Sequence, residues 1–161
     1  MFNKLISCNM ISYSDFLAKL KEFEGLRLRS YKCPSGVLTI GYGHTHGVTS
    51  GMVITESIAE QFLEYDLLLV QAQLASVSPV VIDCYAGLQY ALIDFVFNFG
   101  ITKYKNSTLR KVVESLDNYK LLSHNDINRL TIQFYRWVHS NGKILKGLEA
   151  RRAFDVSLLY L

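Results

Sequence analysis

The sequence predicts an α+β fold that is mainly α-helical, in which a long helix joins a small hairpin-containing N-terminal lobe to a helical C-terminal lobe. Apolar residues recur at helical spacing through most of the chain. One short stretch near the N-terminus instead has strand-like alternation and turn residues, which predicts a β-hairpin. With 161 residues the chain has the size of one domain. We divide it into an arm (1–13), a hairpin lobe (about 14–65) and a helical lobe (about 66–161).

The composition indicates a globular protein and excludes several classes of function. Half of the residues are hydrophobic, 19% are charged, and the net charge of +3 is too small to indicate nucleic-acid binding. The cysteines and histidines lack the spacing of a metal site. The N-terminal stretch lacks the uninterrupted apolar core of a signal peptide, and the uncharged span 67–82 contains Gln, Ser and Pro residues. We therefore expect no metal, no nucleic-acid partner and no stable membrane insertion.

The first helix is predicted by apolar side chains at helical spacing, namely Phe16, Leu17, Leu20 and Phe23. Ser12 or Ser14 can cap it, because a serine hydroxyl accepts a hydrogen bond from a backbone N–H of the first turn. Glu24 is then expected in the last turn of this helix, pointing toward the region that the following hairpin faces.

The predicted hairpin follows directly. Residues 27–32 and 37–42 combine polar and apolar side chains in the manner of paired strands, and Pro-Ser-Gly at 34–36 has the composition of a turn. The second strand runs into the glycine-rich residues 41–44. We expect this hairpin to fold its polar positions back over the end of the first helix.

Two long helices are expected after the hairpin. Thr55 has the residue type and position of a cap for a helix that ends near Val77. Asp83 is expected to begin a second helix that is apolar on most sides, which is typical of a central buried helix. Gly100 is in the position expected for its C-terminal end.

Three further helices are expected in the C-terminal half, at about 107–116, 125–138 and 147–159. Asn125 or Asp126 is expected to cap the second of them, because both side chains are favoured at helix N-termini. We find no internal repeat, linker or low-complexity tract in the sequence.

The stretch from Glu24 to His44 resembles a known family. The spacing Glu24, eight residues, Cys33, five residues, Thr39 is similar to the active-site signature of the phage-type lysozymes, glycoside hydrolase family 24, and the neighbouring EGLRLRSYK and TIGYGH match that family closely. Similar motifs follow in the C-terminal half, at Phe97-Asn98-Phe99-Gly100, Arg136-Trp137-Val138, Gly147-Leu148 and Arg151-Arg152. The resemblance covers about residues 14–160 and implies a lysozyme-like fold.

The resemblance implies hydrolysis of the β-1,4 bond between N-acetylmuramic acid and N-acetylglucosamine in peptidoglycan, without a cofactor. Glu24 would be the general acid, which must stay protonated above the ordinary glutamate pKa of about 4.3. Cys33 would be the water activator or the nucleophile, and Thr39 would position the attacking water. An ordinary thiol has a pKa of about 8.5 and serves as a base less readily than a carboxylate, so the family's usual inverting outcome is left open here.

Five further residues are assigned by the resemblance. His44 is expected to form an ion pair with Asp66 on the long helix, which is a structural rather than a catalytic role. Asn98 is expected to face the cleft and to bind sugar hydroxyl or amide groups. Arg151 and Arg152 are placed at the start of the last helix, and one of them is expected to hold the carboxyl group of the catalytic acid.

The biological role implied by the resemblance is that of an endolysin, which lyses the host at the end of a phage cycle. Such a chain would be made in the host cytoplasm, would act as a monomer and would need a holin-type membrane permeabiliser to reach the wall.

Two alternative functions remain. A lytic transglycosylase needs a single catalytic acid and forms anhydro products, and a non-catalytic wall-binding module would explain Cys33 as the trace of a decayed site.

Cys8 raises a separate hypothesis about regulation. In some phage-type lysozymes with an active-site cysteine, a disulfide to a cysteine nearer the N-terminus keeps the enzyme inactive, and Cys8 could reach Cys33 in this way. Those relatives carry a membrane-spanning N-terminus, which residues 1–13 do not resemble. The disulfide is therefore the less favoured interpretation.

Overall fold

The computed structural model describes residues 11–33, 36–140 and 142–160. It confirms the predicted α+β fold with its excess of helix. The described elements are, in chain order, α1 (Tyr13–Glu24), β1 (Arg27–Lys32), β2 (Leu38–Gly41), α2 (Glu56–Val77), a 3₁₀ helix (Pro79–Asp83), α3 (Ala86–Phe99), α4 (Ile101–Lys105), α5 (Thr108–Glu114), α6 (His124–Tyr135), β3 (His139–Ser140), β4 (Lys143–Ile144), α7 (Lys146–Ser157) and a final 3₁₀ helix (Leu158–Tyr160). The division into two lobes stays a prediction.

Helix α1 begins and ends as its sequence indicates. The hydroxyl of Ser12 accepts a hydrogen bond from the backbone N–H of Asp15 at 3.1 Å, which confirms one of the two predicted caps. Phe16 and Leu20 are fully buried, so one side of the helix packs on the core. Glu24 is the last residue of α1, as predicted.

The hairpin is antiparallel, and its first strand has the predicted bounds. Thr39 of β2 lies opposite Tyr31 of β1. Strand β2 is shorter than expected, and the predicted turn residues Pro34 and Ser35 lie outside the described residues. A Cβ atom on Gly41 would approach that of Ala59 to 3.3 Å, which shows how closely the hairpin packs against α2.

Helix α2 connects the hairpin with the helical part of the molecule. The hydroxyl of Thr55 accepts from the backbone N–H of Ile58, and the helix ends at Val77, both as predicted. Its buried side chains include Leu63 and Leu67, and it contacts both β2 and α3. None of the helices within the described ranges is both long and apolar enough to cross a membrane.

The predicted start of the central helix at Asp83 is wrong. Asp83 ends the short 3₁₀ helix, and α3 begins at Ala86. The physical reason is a tertiary hydrogen bond: the backbone N–H of Tyr85 donates to the carbonyl of Tyr119, which holds the chain in an extended conformation before the helix. The central position of α3 is as predicted, since Leu88, Phe95 and their neighbours on several sides of the helix are buried.

Three details of the C-terminal half differ from the prediction. Helix α4 was not expected. The cap of α6 is Ser123 rather than Asn125 or Asp126, and Asp126 instead accepts from the backbone N–H of Ser123 to complete a capping box. Arg151 and Arg152 lie in the middle of α7 rather than at its start, because the helix begins at Lys146.

The N-terminal end of α3 packs directly on the C-terminal 3₁₀ helix, and Gly87 makes this approach possible. A Cβ atom at Gly87 would lie 2.1 Å from the carbonyl oxygen of Leu158. We therefore expect Gly87→Ala to lower the free energy of unfolding by about 3 kcal/mol, since two backbone segments would have to separate. Urea unfolding followed by circular dichroism measures the change.

Gly147→Ala is the matched control. Gly147 is a helical glycine in α7 whose added Cβ would meet nothing within 4 Å, so alanine should leave the stability unchanged or raise it by up to about 1 kcal/mol. Equal destabilisation by the two alanine variants would contradict the proposed close packing at Gly87.

Candidate active site

Glu24 lies where α1, α7 and the end of the hairpin meet. Its side chain is 20% exposed, and its Oε1 atom is 2.6 Å from Nη1 of Arg151. On the hairpin side, a Cβ atom on Gly43 would lie 3.6 Å from Oε2 of Glu24, so the glycine backbone packs beside the carboxyl group. The carboxyl group is therefore enclosed from two sides and keeps limited access to solvent.

The surroundings of Glu24 favour its protonated form. Burial raises the pKa of Glu24 above its ordinary value, the positive charge of Arg151 opposes this change, and the negative charge of Asp94 adds to it. The direction agrees with the sequence-based expectation for a general acid. Burial is the largest of these effects, which is why the adjacent guanidinium does not reverse the sign.

Arg151 is held in place by Asp94, a residue that the sequence analysis missed. The Nε atom of Arg151 donates to both carboxylate oxygens of Asp94, at 2.9 and 3.1 Å, and Nη2 donates to Oδ1 at 2.8 Å. Asp94 is fully buried in α3. A signal was present in the sequence, because Asp94 is the only charged residue of the segment that forms α3.

Arg152 has a different role from its neighbour. Its Nη2 atom donates to Oδ2 of Asp94 at 3.0 Å, and its guanidinium lies over the rings of Phe95 and Phe99. Its Nε atom is 2.9 Å from Asp155, in ionic contact but without the alignment of a hydrogen bond. The expectation that one of the two arginines approaches the catalytic acid is thus met by Arg151, while Arg152 is buried behind it.

Cys33 and Thr39 are close neighbours near the turn of the hairpin, at the opposite end of its strands from Gly43. The backbone N–H of Cys33 donates to the carbonyl of Val37 at 3.0 Å, and the hydroxyl of Thr39 donates to the same carbonyl at 3.1 Å. Cys33 is half-buried and Thr39 is buried. Because the hydroxyl proton of Thr39 is directed at Val37, its oxygen lone pairs remain as acceptors.

His44 ties the end of the hairpin to α2. Its Nδ1 atom is 2.8 Å from Oδ2 of Asp66, its Nε2 atom is 2.8 Å from the carbonyl of His46, and its ring stacks on Phe62. The predicted contact between His44 and Asp66 is present. Both ring nitrogens face oxygen acceptors, so each can donate when the imidazole is doubly protonated.

Asn98 lies on α3 one turn after Asp94, and therefore on the same face of the helix. Its side chain is half-buried, and its Oδ1 atom meets no hydrogen-bond donor within the described part of the chain. The amide of Asn98 therefore keeps unused hydrogen-bonding capacity. The predicted contact of Asn98 with sugar stays a prediction.

Comparisons with known proteins agree on one family. The family model described as Phage lysozyme matches residues 21–155. The endolysin of Acyrthosiphon pisum secondary endosymbiont phage 1 is 37% identical over 147 residues, which cover 88% of this chain and 92% of that protein. The muramidase domain of SpmX from Asticcacaulis excentricus has a TM-score of 0.74 at 26% identity, with 94% of this chain and 97% of that chain covered. The endolysin from Escherichia coli O157:H7 phage FAHEc1 has a TM-score of 0.70 at 28% identity, with 89% of each chain covered.

The contact between His44 and Asp66 should contribute strongly to stability, because His44 is buried and Asp66 is only 23% exposed. We expect His44→Asn and Asp66→Asn each to lower the free energy of unfolding by about 3 kcal/mol, since each leaves one buried partner without the other. The double variant should lose little more than either single variant. Urea unfolding of the three variants gives the coupling energy.

Lys19 and Glu22 provide the control, because they form an ion pair on the exposed side of α1. Breaking that pair with Glu22→Gln should change the stability by less than about 0.5 kcal/mol. Strictly additive losses in the His44 and Asp66 variants would show that the two side chains stabilise the fold independently and would refute the coupling.

Proposed function

The chain belongs to the phage lysozyme family, and we propose that Glu24, Cys33 and Thr39 carry out its reaction at the β-1,4 bond between N-acetylmuramic acid and N-acetylglucosamine. The protein is a peptidoglycan hydrolase of the endolysin type. The observation that carries the catalytic proposal is the raised pKa of Glu24 in a partly enclosed site beside Arg151.

Glu24 is proposed as the general acid. Its carboxyl group transfers a proton to the glycosidic oxygen as the bond to the anomeric carbon breaks, so the leaving sugar departs as a neutral alcohol. Burial supports this role because it keeps the proton on the carboxyl group above the ordinary pKa of glutamate. Arg151 supports it by fixing the position of Oε1.

Thr39 and Cys33 are proposed to handle the attacking water. With its own proton donated to Val37, the hydroxyl of Thr39 can accept one proton of the water in a hydrogen bond, which turns a lone pair of the water toward the sugar. The thiolate of Cys33 then takes the other proton as the water oxygen bonds to the anomeric carbon. Direct attack by the thiolate is the alternative, and it would retain the anomeric configuration.

Asn98 is proposed to bind the substrate. Its Oδ1 atom is a buried acceptor, and its position on the same face of α3 as Asp94 is consistent with a place beside the acid and its arginine. A sugar hydroxyl or N-acetyl N–H is the kind of donor that such an oxygen can accept from.

Hydrolysis of purified peptidoglycan, with dithiothreitol present and with mass analysis of the products, tests the catalytic assignment. The wild type should release hydrated muropeptides. Glu24→Gln should lower the rate by a factor of about 10² to 10⁴, because the amide cannot donate the proton. Cys33→Ala should lower it by a similar factor, and Cys33→Asp should retain activity because a carboxylate can serve as the base.

Cys84→Ala is the matched cysteine control. Cys84 is buried in the core and its thiol contacts the carbonyl of Val80, so its loss should leave the rate unchanged. Full activity of Glu24→Gln would refute the proposed acid. Anhydro products, lighter by one water, would instead indicate a lytic transglycosylase, and binding without release of products would indicate a wall-binding module.

We also propose that the protein accumulates in the host cytoplasm as a monomer and reaches the wall through a holin-type membrane permeabiliser. The relative named endolysin, which covers 88% of this chain, supports the lytic role on which this proposal rests. Expression in a bacterial host should leave the culture turbid until chloroform is added, and lysis should then follow within minutes. The Glu24→Gln variant should remain turbid after chloroform, and lysis by the wild type without any permeabiliser would contradict the proposed route.

A further inference from the structure

The guanidinium of Arg151 contacts two carboxyl groups, and it uses more of its nitrogens for one than for the other. Its Nε and Nη2 edge faces Asp94 with contacts of 2.8 to 3.1 Å, whereas a single nitrogen, Nη1, reaches Glu24. A guanidinium binds a carboxylate most strongly through two parallel N–H groups. In this arrangement Asp94 has the stronger, two-nitrogen interaction, and Glu24 has the weaker, single one.

The buried position of Asp94 fixes the orientation of the Arg151 guanidinium. Asp94 is fully buried on α3, and it also accepts a hydrogen bond from Arg152. A buried carboxylate with donors from two arginines has little freedom to rotate, so it fixes the plane of the Arg151 guanidinium. Without this partner, Arg151 could turn its two-nitrogen edge toward Glu24 and stabilise the ionised carboxylate.

We propose that Asp94 is a positioning residue for the reaction. Asp94 occupies the Nε and Nη2 edge of Arg151 and balances the charge of that guanidinium. Arg151 can therefore orient the carboxyl group of Glu24 while Glu24 keeps its proton. The proposal rests on the general-acid role given to Glu24 above. Asp94 acts through Arg151 and has no contact with the substrate in this scheme.

The charged groups around the acid support this division of roles. Within the described ranges, Arg151 from α7 and Asp94 from α3 are the charges that shift the pKa of Glu24. Behind them, Arg152 contacts both Asp94 and Asp155. Burial raises the pKa of Asp155 well above its ordinary value, and the charge of Asp94 adds to this effect. Asp94 is the carboxylate that accepts hydrogen bonds from both arginines.

Replacement of Asp94 by asparagine tests the proposal, because it removes the charge and keeps the shape. The ionisation of Glu24 is followed directly through its ¹³C-labelled side-chain carboxyl signal, assigned as the one absent from Glu24→Gln. We expect Asp94→Asn to lower the titration midpoint of Glu24 by about one pH unit. Because an ordinary thiol has a higher pKa than a glutamate, the acidic limb of kcat/KM follows Glu24 when Cys33 is the base, and it should move to lower pH by the same amount.

Two further variants keep the test decisive. Asp126 is also a buried aspartate paired with an arginine, in α6, and Asp126→Asn should leave the midpoint of Glu24 unchanged although it weakens a helix cap. If Asp94→Asn does not fold, the double variant Asp94→Asn/Arg151→Gln is compared with Arg151→Gln alone. Removal of the Asp94 charge should lower the midpoint in that background as well.

The outcomes separate this inference from the proposed function. An unchanged or raised midpoint of Glu24 after loss of Asp94, in a folded variant, would overturn the positioning role even if Glu24→Gln is inactive. A lowered midpoint together with an active Glu24→Gln variant would show that Asp94 controls the ionisation of Glu24 through Arg151, but would refute the general-acid assignment and with it the role of Asp94 in the reaction. A rate that falls equally at all pH values, with no shift of the limb, would show a merely structural role for Asp94.

Discussion

The buried contact between Asp94 and Arg151 is the interaction on which the rest of the structure depends. It joins α3 to α7, and through Arg151 it also reaches the end of α1 at Glu24. A charged group that is buried without its partner destabilises a fold by several kcal/mol, so neither helix can be placed independently of the other. The packing of α7 against α3 therefore also places Arg151 beside Glu24.

The hairpin is positioned by a second, separate side-chain contact. His44 reaches Asp66 on α2, and the backbone of His44 pairs with that of Ile40 through two hydrogen bonds of 2.9 Å. Between these contacts, Gly43 packs beside the carboxyl group of Glu24. Glu24 thus lies between two side-chain contacts, Arg151 with Asp94 and His44 with Asp66, which belong to different parts of the chain.

Local signals in the sequence predicted the parts of the fold that local physics determines. The caps at Ser12 and Thr55 were predicted correctly, because a hydroxyl that binds an N–H three residues away needs no other part of the chain. The start of α3 was wrong, because Tyr85 is held by Tyr119, which is remote in sequence. No local pattern contains that contact.

The same distinction applies to the site. Glu24 was assigned to the site from its place at a helix end and from the resemblance of its neighbours to the family signature, and both signals are local. Asp94 was not recognised as part of the site, because its partner Arg151 lies 57 residues further along the chain. Two adjacent arginines point in different directions from a helix, so the sequence could indicate that one of them approaches the acid, but only packing decides that it is Arg151.

In the proposed mechanism, with Cys33 as the base, the raised pKa of Glu24 gains importance. The reaction needs a protonated acid together with an ionised base, and an ordinary thiol has a pKa of about 8.5, far above that of a glutamate. When the acid has the lower pKa of the two, the required combination is a minor state at every pH. Its population rises about tenfold for each unit by which the two pKa values approach one another. Burial of Glu24, which raises its pKa, therefore increases the active fraction directly when Cys33 is the base.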